Sequence, residues 1–215
     1  MILVMYSGLR NEQKVKHEKI MSDNKTKDNS SKQPEHICPP FVAKILNSPF
    51  RTILENPERL LKPLIKKGDT IVDLGCGGGV FSVAAAKLTG ESGKVYAVDL
   101  QQKMLDITKK LARKNGLEDN INCHLCNATS LDLEEELADL VIAFHMVHET
   151  GNPSALVKEI GKITKKDGLF LVMEPKMHVN KKMFDETTQQ SEINGFVMEK
   201  DMSTLLGMGA LYRKK

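Results

Sequence analysis

Residues 71–79 read Ile-Val-Asp-Leu-Gly-Cys-Gly-Gly-Gly, an apolar run that ends in an acid and a glycine-rich turn. Residues 94–100 read Lys-Val-Tyr-Ala-Val-Asp-Leu, a second apolar run that ends in a second acid, Asp99. A helix-like segment begins between them at Val80. This order predicts a strand–helix–strand unit with two parallel strands, and such units hold nucleotide-containing ligands at the carboxyl ends of the strands.

The spacing of the glycines distinguishes between types of nucleotide loop. A dinucleotide fingerprint, Gly-x-Gly-x-x-Gly, needs its third glycine at position 80 or 82, where the chain has Val80 and Ser82. A phosphate-binding P-loop needs Gly-Lys-Ser/Thr, which does not follow. The pattern therefore argues against a nicotinamide oxidoreductase. An acid directly before the glycines repels a pyrophosphate and suits a cationic ligand with an amino-acid moiety.

The stretch from Asp73 to Gly79 resembles the first motif of the class I S-adenosylmethionine (SAM) dependent methyltransferases. The resemblance implies SAM as the cofactor. In that family the acid of the glycine-rich loop helps to orient the methionine part, and an acid in the position of Asp99 accepts hydrogen bonds from the ribose hydroxyls. The implied cofactor-binding residues are Asp73, Gly75, Cys76, Gly77, Gly79, Asp99, Leu100, Asn127, Ala128 and Phe144.

Later stretches extend the resemblance over about residues 36 to 215. Asn127-Ala128 follows the third predicted strand, where the family often places an Asp or Asn that binds the adenine amino group. Residues 163–175 look like the family's turn, strand and Glu-Pro stretch. The chain is also similar to small bacterial and archaeal methyltransferases in His36-x-Cys38-Pro39, in residues 144–149 and in residues 174–179.

Composition and charge exclude several function classes. Hydrophobic residues make up 40% of the chain and charged residues 27%, as in a globular protein. The net charge is +3, and the balance of +2 in residues 1–35 leaves only +1 for the rest, so we expect no nucleic-acid partner. No segment approaches the run of about 18 apolar residues of a membrane span, and four irregularly spaced cysteines favour a reducing cytoplasm.

The chain divides into a polar tail and one domain. Residues 1–35 lack apolar periodicity and predict a disordered tail, in which Met21 is a candidate for the natural start. Residues 36–215 are expected to form the methyltransferase domain, with 36–66 as an N-terminal lid. The alternation of elements predicts an α/β, Rossmann-like, doubly wound and mostly parallel seven-stranded sheet with an antiparallel edge hairpin.

The periodicity of apolar residues gives approximate bounds for these elements. Strands are predicted at about 70–74, 94–99, 120–126, 139–144, 169–174, 195–200 and 209–213. Helices are predicted at about 79–89, 101–115, 153–166 and 179–193, with a turn at Asp167-Gly168 after the third of them.

The candidate catalytic residues follow the fourth predicted strand, at the edge of the sheet where ligands bind. Methyl transfer depends chiefly on positioning, and a base helps when the acceptor arrives protonated. His148 and Glu149 are the first candidates for that base, and His145 is the next. The alternative is that these residues cap a helix or line the SAM pocket.

Two further patterns are compatible with metal or thiol chemistry. His145-x-x-His148-Glu149 matches neither His-Glu-x-x-His nor His-x-x-Glu-His, so no metal is predicted. Cys123 and Cys126 lie three apart on a strand and point to opposite faces, which favours structural thiols. Cys38 would suit a soft substrate such as arsenite, but residues 127–215 contain no cysteine.

Two functions of different classes remain open at this point. One is an enzyme that transfers the methyl group of SAM in line to a small-molecule acceptor, with the lid and residues 175–195 forming the acceptor pocket. The other is a SAM-binding sensor or partner subunit without turnover. The sequence does not identify the acceptor, because substrate pockets vary on a common fold.

Overall fold

The structure is a computed structural model that describes residues 56–215. The predicted tail, the candidate start at Met21, Cys38 and most of the predicted lid lie outside the described residues. Of the lid, residues 56–66 are described, and they contain the short helix α1, Pro57–Leu61.

The described chain alternates strands and helices. The strands are β1 (Thr70–Leu74), β2 (Lys94–Asp99), β3 (Ile121–Leu125), β4 (Ala138–Phe144), β5 (Thr164–Pro175), β6 (Phe196–Asp201) and β7 (Gly207–Lys214). The helices after α1 are α2 (Val80–Thr89), α3 (Gln102–Lys114), α4 (Pro153–Ile163) and α5 (Lys181–Ile193), with a 3₁₀ turn at Val147–Glu149.

The strands form one seven-stranded sheet in the order β3-β2-β1-β4-β5-β7-β6. The first five strands are parallel, and β7 runs antiparallel to both β5 and β6. This confirms the predicted fold class, including the antiparallel edge. The strand order reverses between β1 and β4, which places a topological switch point at the carboxyl end of β1, where open α/β sheets bind ligands.

Alternating residues of the central strands supply two hydrophobic cores. Ile71 packs on the face covered by α1, α2 and α3, whereas Val72 packs on the face covered by α4 and α5. Both side chains are completely buried. A strand that is apolar on both faces is the expected consequence of parallel strands covered on both sides.

One predicted boundary is wrong. Helix α4 ends at Ile163, and β5 begins at Thr164 instead of about 169, because Thr164 pairs with Ala138 and its hydroxyl donates to the Ile160 carbonyl at 2.6 Å. The expected turn at Asp167-Gly168 is therefore an irregularity within β5, where Asp167 has φ +62°. The other predicted bounds differ from the observed ones by no more than two residues.

Within residues 56–215, no helix combines the length and apolar character needed to cross a membrane.

Candidate active site

The loop after β1 contains three glycines with positive φ, and each has a different neighbour. A Cβ on Gly75 would lie 2.8 Å from the Cβ of Met146, and a Cβ on Gly79 would lie 2.7 Å from the side chain of Thr108. A Cβ on Gly77 would face open space, with only the Gly75 carbonyl within 4.0 Å. Gly75 and Gly79 are therefore required by packing, whereas Gly77 leaves open space beside its backbone, and its predicted contact with the cofactor stays a prediction.

Asp99 joins the end of β2 to this loop. Its Oδ2 accepts the backbone N–H of Gly77 at 3.0 Å, and its Oδ1 accepts that of Gln101 at 2.8 Å. The Cys76 N–H adds a bond to the Val98 carbonyl at 3.0 Å. Burial raises the pKa of the Asp99 carboxyl, against the effect of these N–H donors. Each carboxylate oxygen keeps a further lone pair for a ligand hydroxyl.

Asp73 lies beneath the loop and is only 2% exposed. Its Oδ2 accepts the hydroxyl of Ser82, in the first turn of α2, at 2.5 Å. Burial raises the pKa of Asp73 to about 7, and the charge of Asp99 adds to the rise. In the structure, Asp73 thus contacts α2. Its predicted contact with the methionine part of SAM stays a prediction.

Thr108 of α3 is a residue that the sequence pattern did not single out for this site. It is completely buried, and its hydroxyl donates to the Gly77 carbonyl at 2.9 Å. Because Asp99 binds the N–H of the same glycine, both backbone polar groups of Gly77 are held. The Cys76 thiol lies 3.8 Å from the Thr108 hydroxyl, and burial raises its pKa well above the ordinary value. Cys76 therefore contributes to the loop through its backbone and packing.

The residues expected around the adenine lie at the same edge of the sheet. Leu100, directly after β2, is 41% exposed, and Ala128 is exposed. The Asn127 side-chain oxygen accepts from Thr129 and Ser130, and its amide donates to Asp132 at 3.0 Å. Asn127 thus stabilises its own turn. Its predicted contact with adenine stays a prediction.

The end of β4 carries two aromatic rings and a strained residue. The ring of Phe144 lies 4.2 Å from that of Phe81 and 4.3 Å from that of His145, measured between centroids. His145 has φ +57°, in the left-handed region that non-glycine residues rarely adopt, and its N–H donates to the Met173 carbonyl at 2.7 Å. Such strain concentrates at functional sites.

His148 is paired with Glu174, which the sequence showed only as part of a Glu-Pro stretch. Nδ1 of His148 forms a short hydrogen bond with Oε2 of Glu174, whose side chain is 2% exposed. The bond to Glu174 raises the pKa of His148, and partial burial opposes the rise. Glu149 is half-buried, and desolvation raises the pKa of its carboxyl. Of the three catalytic candidates, the structure therefore gives His148 a carboxylate partner.

A cavity of about 340 Å³ opens beside this pair, between the 3₁₀ turn, the start of α4 and helix α5. Small-molecule sites have volumes of about 300–1,000 Å³. The lining includes Val147, His148, Ser154, Glu174, Val179, Met183, Glu186, Thr187 and Gln190. Helix α5 supplies part of this lining, and the contribution of residues 175–195 to an acceptor pocket stays a prediction.

Metal ligands do not cluster in the described part of the chain. Among residues 56–215 there is no group of three or more His, Cys, Asp or Glu side chains that could hold a metal ion. Cys123 packs against the core on the α2–α3 face and Cys126 against the core on the opposite face, so the two thiols point apart as predicted.

In the class I methyltransferase arrangement, the acid of the second strand holds a glycine loop at the switch point of a seven-stranded sheet. The strand second from one edge of that sheet, here β7, is antiparallel. The described residues have this arrangement. The residues fit SAM: Asp99 has lone pairs for the ribose diol, and Gly77 leaves room for close approach. The methyltransferase domain family matches residues 65–208, and the chain belongs to that family. The predicted recognition, the enzyme class and SAM as its cofactor are confirmed at this level.

Comparison with individual proteins gives the same class with different acceptors. The chain is 32% identical over 116 residues to the demethylmenaquinone methyltransferase of Lactobacillus johnsonii, covering 54% of this chain and 48% of that protein. It is 28% identical over 151 residues to the ribosomal protein L11 methyltransferase of Syntrophomonas wolfei, covering 70% and 46%. The chain thus spans about half the length of these curated relatives.

A solved structure supports the fold independently. The SAM dependent methyltransferase from Aquifex aeolicus superposes with a TM-score of 0.74, at 24% identity, covering 83% of this chain and all of that chain. At this identity the likeness concerns the fold.

Proposed function

We propose that this protein transfers a methyl group from SAM to a small-molecule acceptor that binds in the cavity beside His148. The observation that carries the proposal is the position of this cavity, which adjoins the ends of β4 and β5 while the glycine loop and Asp99 lie at the ends of β1 and β2. Cofactor and acceptor would then occupy neighbouring parts of one sheet edge.

The chain's own residues have distinct roles in this reaction. SAM, when bound, supplies an activated methyl group on a sulfonium. Asp99 holds the ribose side, Gly77 leaves room for its close approach, and Leu100 provides an apolar surface beside it. The residues after β4 position the acceptor, which is the main requirement for an in-line displacement.

The size of the cavity favours a metabolite over a macromolecule. A volume of about 340 Å³ lies at the lower end of the range for small-molecule sites. Its walls combine apolar Val147, Val179 and Met183 with polar Ser154 and Gln190, which suits a molecule with both kinds of surface.

Two measurements test this function. Calorimetry with SAM and with S-adenosylhomocysteine tests the cofactor, and absence of binding by both would overturn the proposal. A cell extract separated into a fraction below 3 kDa, a protein fraction and an RNA fraction is then incubated with methyl-labelled SAM. Label in the small-molecule fraction is the expected result, and label confined to protein or RNA would refute the acceptor class.

A matched pair of variants locates the acceptor. Met183→Trp fills the cavity from α5, whereas Ile193→Trp adds the same bulk on the same helix at a side chain that is 67% exposed. We expect Met183→Trp to abolish transfer at unchanged SAM affinity and Ile193→Trp to retain it. Equal transfer by both variants would exclude this cavity as the acceptor site.

A further inference from the structure

The ends of β4 and β5 meet in one buried pair, His148 and Glu174. Glu174 receives three hydrogen bonds from the 3₁₀ turn. Its Oε1 accepts the Val147 N–H at 3.0 Å, and its Oε2 accepts the His148 N–H at 3.4 Å and binds Nδ1 of the same residue. The side chains of His148 and Glu174 are only 12% and 2% exposed. The carboxylate therefore fixes both the backbone and the ring of His148.

This arrangement determines which nitrogen of His148 is available to a ligand. A carboxylate on Nδ1 selects the tautomer that carries its proton there, which leaves a lone pair on Nε2 in the neutral ring. No residue between 56 and 215 forms a hydrogen bond with Nε2. His148 also lines the cavity of about 340 Å³. The residue that carries this basic nitrogen is thus held in the wall of the proposed acceptor cavity.

The geometry points to Glu174 as a positioning residue that holds His148 as the base for the methyl acceptor, and to an acceptor that is a small molecule without a negative charge and with a hydroxyl, thiol or amine. This inference rests on the proposed function. A protic group needs a base because its proton must leave as the new bond to carbon forms. A carboxylate that stabilises the resulting imidazolium is the arrangement by which histidine bases are held in other enzymes.

In the proposed step, a methyl group passes from SAM to the acceptor and a proton passes from the acceptor to His148. The lone pair of the acceptor atom forms the bond to the methyl carbon, and the carbon–sulfur bond breaks with its electron pair remaining on sulfur. The acceptor's proton passes to Nε2 of His148, which becomes an imidazolium beside the carboxylate of Glu174. Solvent removes that proton after the product leaves.

The charges around the base define the acceptor further. Glu149 on the 3₁₀ turn, Glu174 on β5 and Glu186 on α5 are acidic, and the ring of His178 lies 5.5 Å from that of His148 between centroids. The described lining of the cavity contains no Lys or Arg. Carboxylates in a described lining without Lys or Arg disfavour an anionic ligand, so an acceptor without a negative charge fits the cavity best.

The first part of the test measures the pair without any acceptor. Protein labelled on histidine is titrated by NMR, and the signal of His148 is assigned by its loss in His148→Gln. We expect Glu174→Gln to lower the pKa of His148 by at least one unit, whereas Glu199→Gln, which removes an exposed carboxylate paired with Arg213, leaves it unchanged. An unchanged pKa in Glu174→Gln would overturn the positioning role.

The second part follows transfer of labelled methyl from SAM to the extract fraction below 3 kDa between pH 6 and 10. The wild-type rate should rise tenfold per pH unit below the NMR pKa of His148 and then level off. Glu174→Gln should move this rise to lower pH and reduce the plateau at least tenfold at unchanged SAM affinity. His148→Gln should lose the rise, and thermal unfolding of each variant shows that it is folded.

The outcomes separate this inference from the proposed function. If the wild-type protein and His148→Gln transfer label equally at every pH, the base assignment is wrong and the methyltransferase function stands. If the wild-type protein transfers no label to small molecules, the proposed function and the base assignment both fail, and a normal NMR result would then make the pair a structural one.

Discussion

The carboxylate of Asp99 accepts the backbone N–H of Gly77 at 3.0 Å, which ties the end of β2 to the loop after β1. The second oxygen of the same carboxylate binds the Gln101 N–H at the start of α3. One buried acid thus holds two segments of the cofactor site in register, in addition to any bond that it makes to a ligand.

Asp99→Asn should weaken both the fold and SAM binding. An amide has one acceptor oxygen, so one of the two N–H groups would face an NH₂ group, at a cost of about 1–3 kcal/mol. We expect a lower midpoint of thermal unfolding and at least a tenfold loss of SAM affinity by calorimetry. Asp106→Asn, an exposed acid on α3, is the control. Similar behaviour of the two variants would contradict this role.

Alanine at Gly75 and at Gly77 should separate packing from ligand approach. Both positions have positive φ, which costs an alanine about 1–2 kcal/mol. Gly75→Ala also places its Cβ against Met146 and should be the less stable variant. Gly77→Ala meets open space and should lose SAM affinity out of proportion to its stability. Urea unfolding and calorimetry on both variants measure the two effects, and the reverse order of stability would count against the packing argument.

Asp73→Asn should change the pH dependence of stability. The pKa of Asp73 is raised to about 7 in the folded state, so the folded protein keeps a proton that the unfolded chain releases above about 4. Wild-type stability therefore falls as the pH rises through this interval, and the asparagine variant lacks that fall.

Unfolding midpoints at pH 4.5 and pH 8 give the measurement for Asp73→Asn. The variant should gain stability relative to the wild type at pH 8 and show little difference at pH 4.5. A larger deficit of the variant at pH 8 than at pH 4.5 would be incompatible with the raised pKa.

His148→Gln should cost most stability on the acid side of neutrality. The pKa of His148 is raised by Glu174, so the stabilisation from the charged pair is complete below the ordinary histidine value of about 6.5 and is lost as the pH rises through the raised value. The difference in the free energy of urea unfolding between the variant and the wild type should be larger at pH 6 than at pH 9. A difference that grows towards pH 9 would rule out this charge arrangement.

Features encoded by local sequence were predicted well. Apolar runs that end in Asp73 and Asp99 gave the bounds of β1 and β2, because parallel strands covered on both faces must be continuously apolar. The sequence also predicted that Asp73 and Asp99 lie at the same edge of the sheet, because each acid lies near the end of one of two parallel strands. The bound of β5 was wrong because a Gly after an Asp predicts a turn, whereas pairing of Thr164 with Ala138 extends the strand.

Features that depend on tertiary neighbours were not predictable in this way. Glu174 and His148 are 26 residues apart and meet only because β4 and β5 are adjacent in the sheet. A side chain at Gly75 would meet Met146, whereas one at Gly77 would meet open space. This difference depends on Met146, which follows a different strand, β4. A single sequence contains no signal for such pairings beyond the residue types themselves.

The position of β7 between β5 and β6 has a consequence for the integrity of the sheet. β6 precedes β7 in the chain, but among the strands of residues 56–215 it pairs only with β7, so β6 is joined to the rest of the sheet through β7, which pairs with β5. The edge of β5 is therefore covered only when β7 is in place. Loss or misfolding of β7 would remove β6 from the sheet as well, and it would leave the edge of β5, the strand that carries Glu174, open to pairing with another chain.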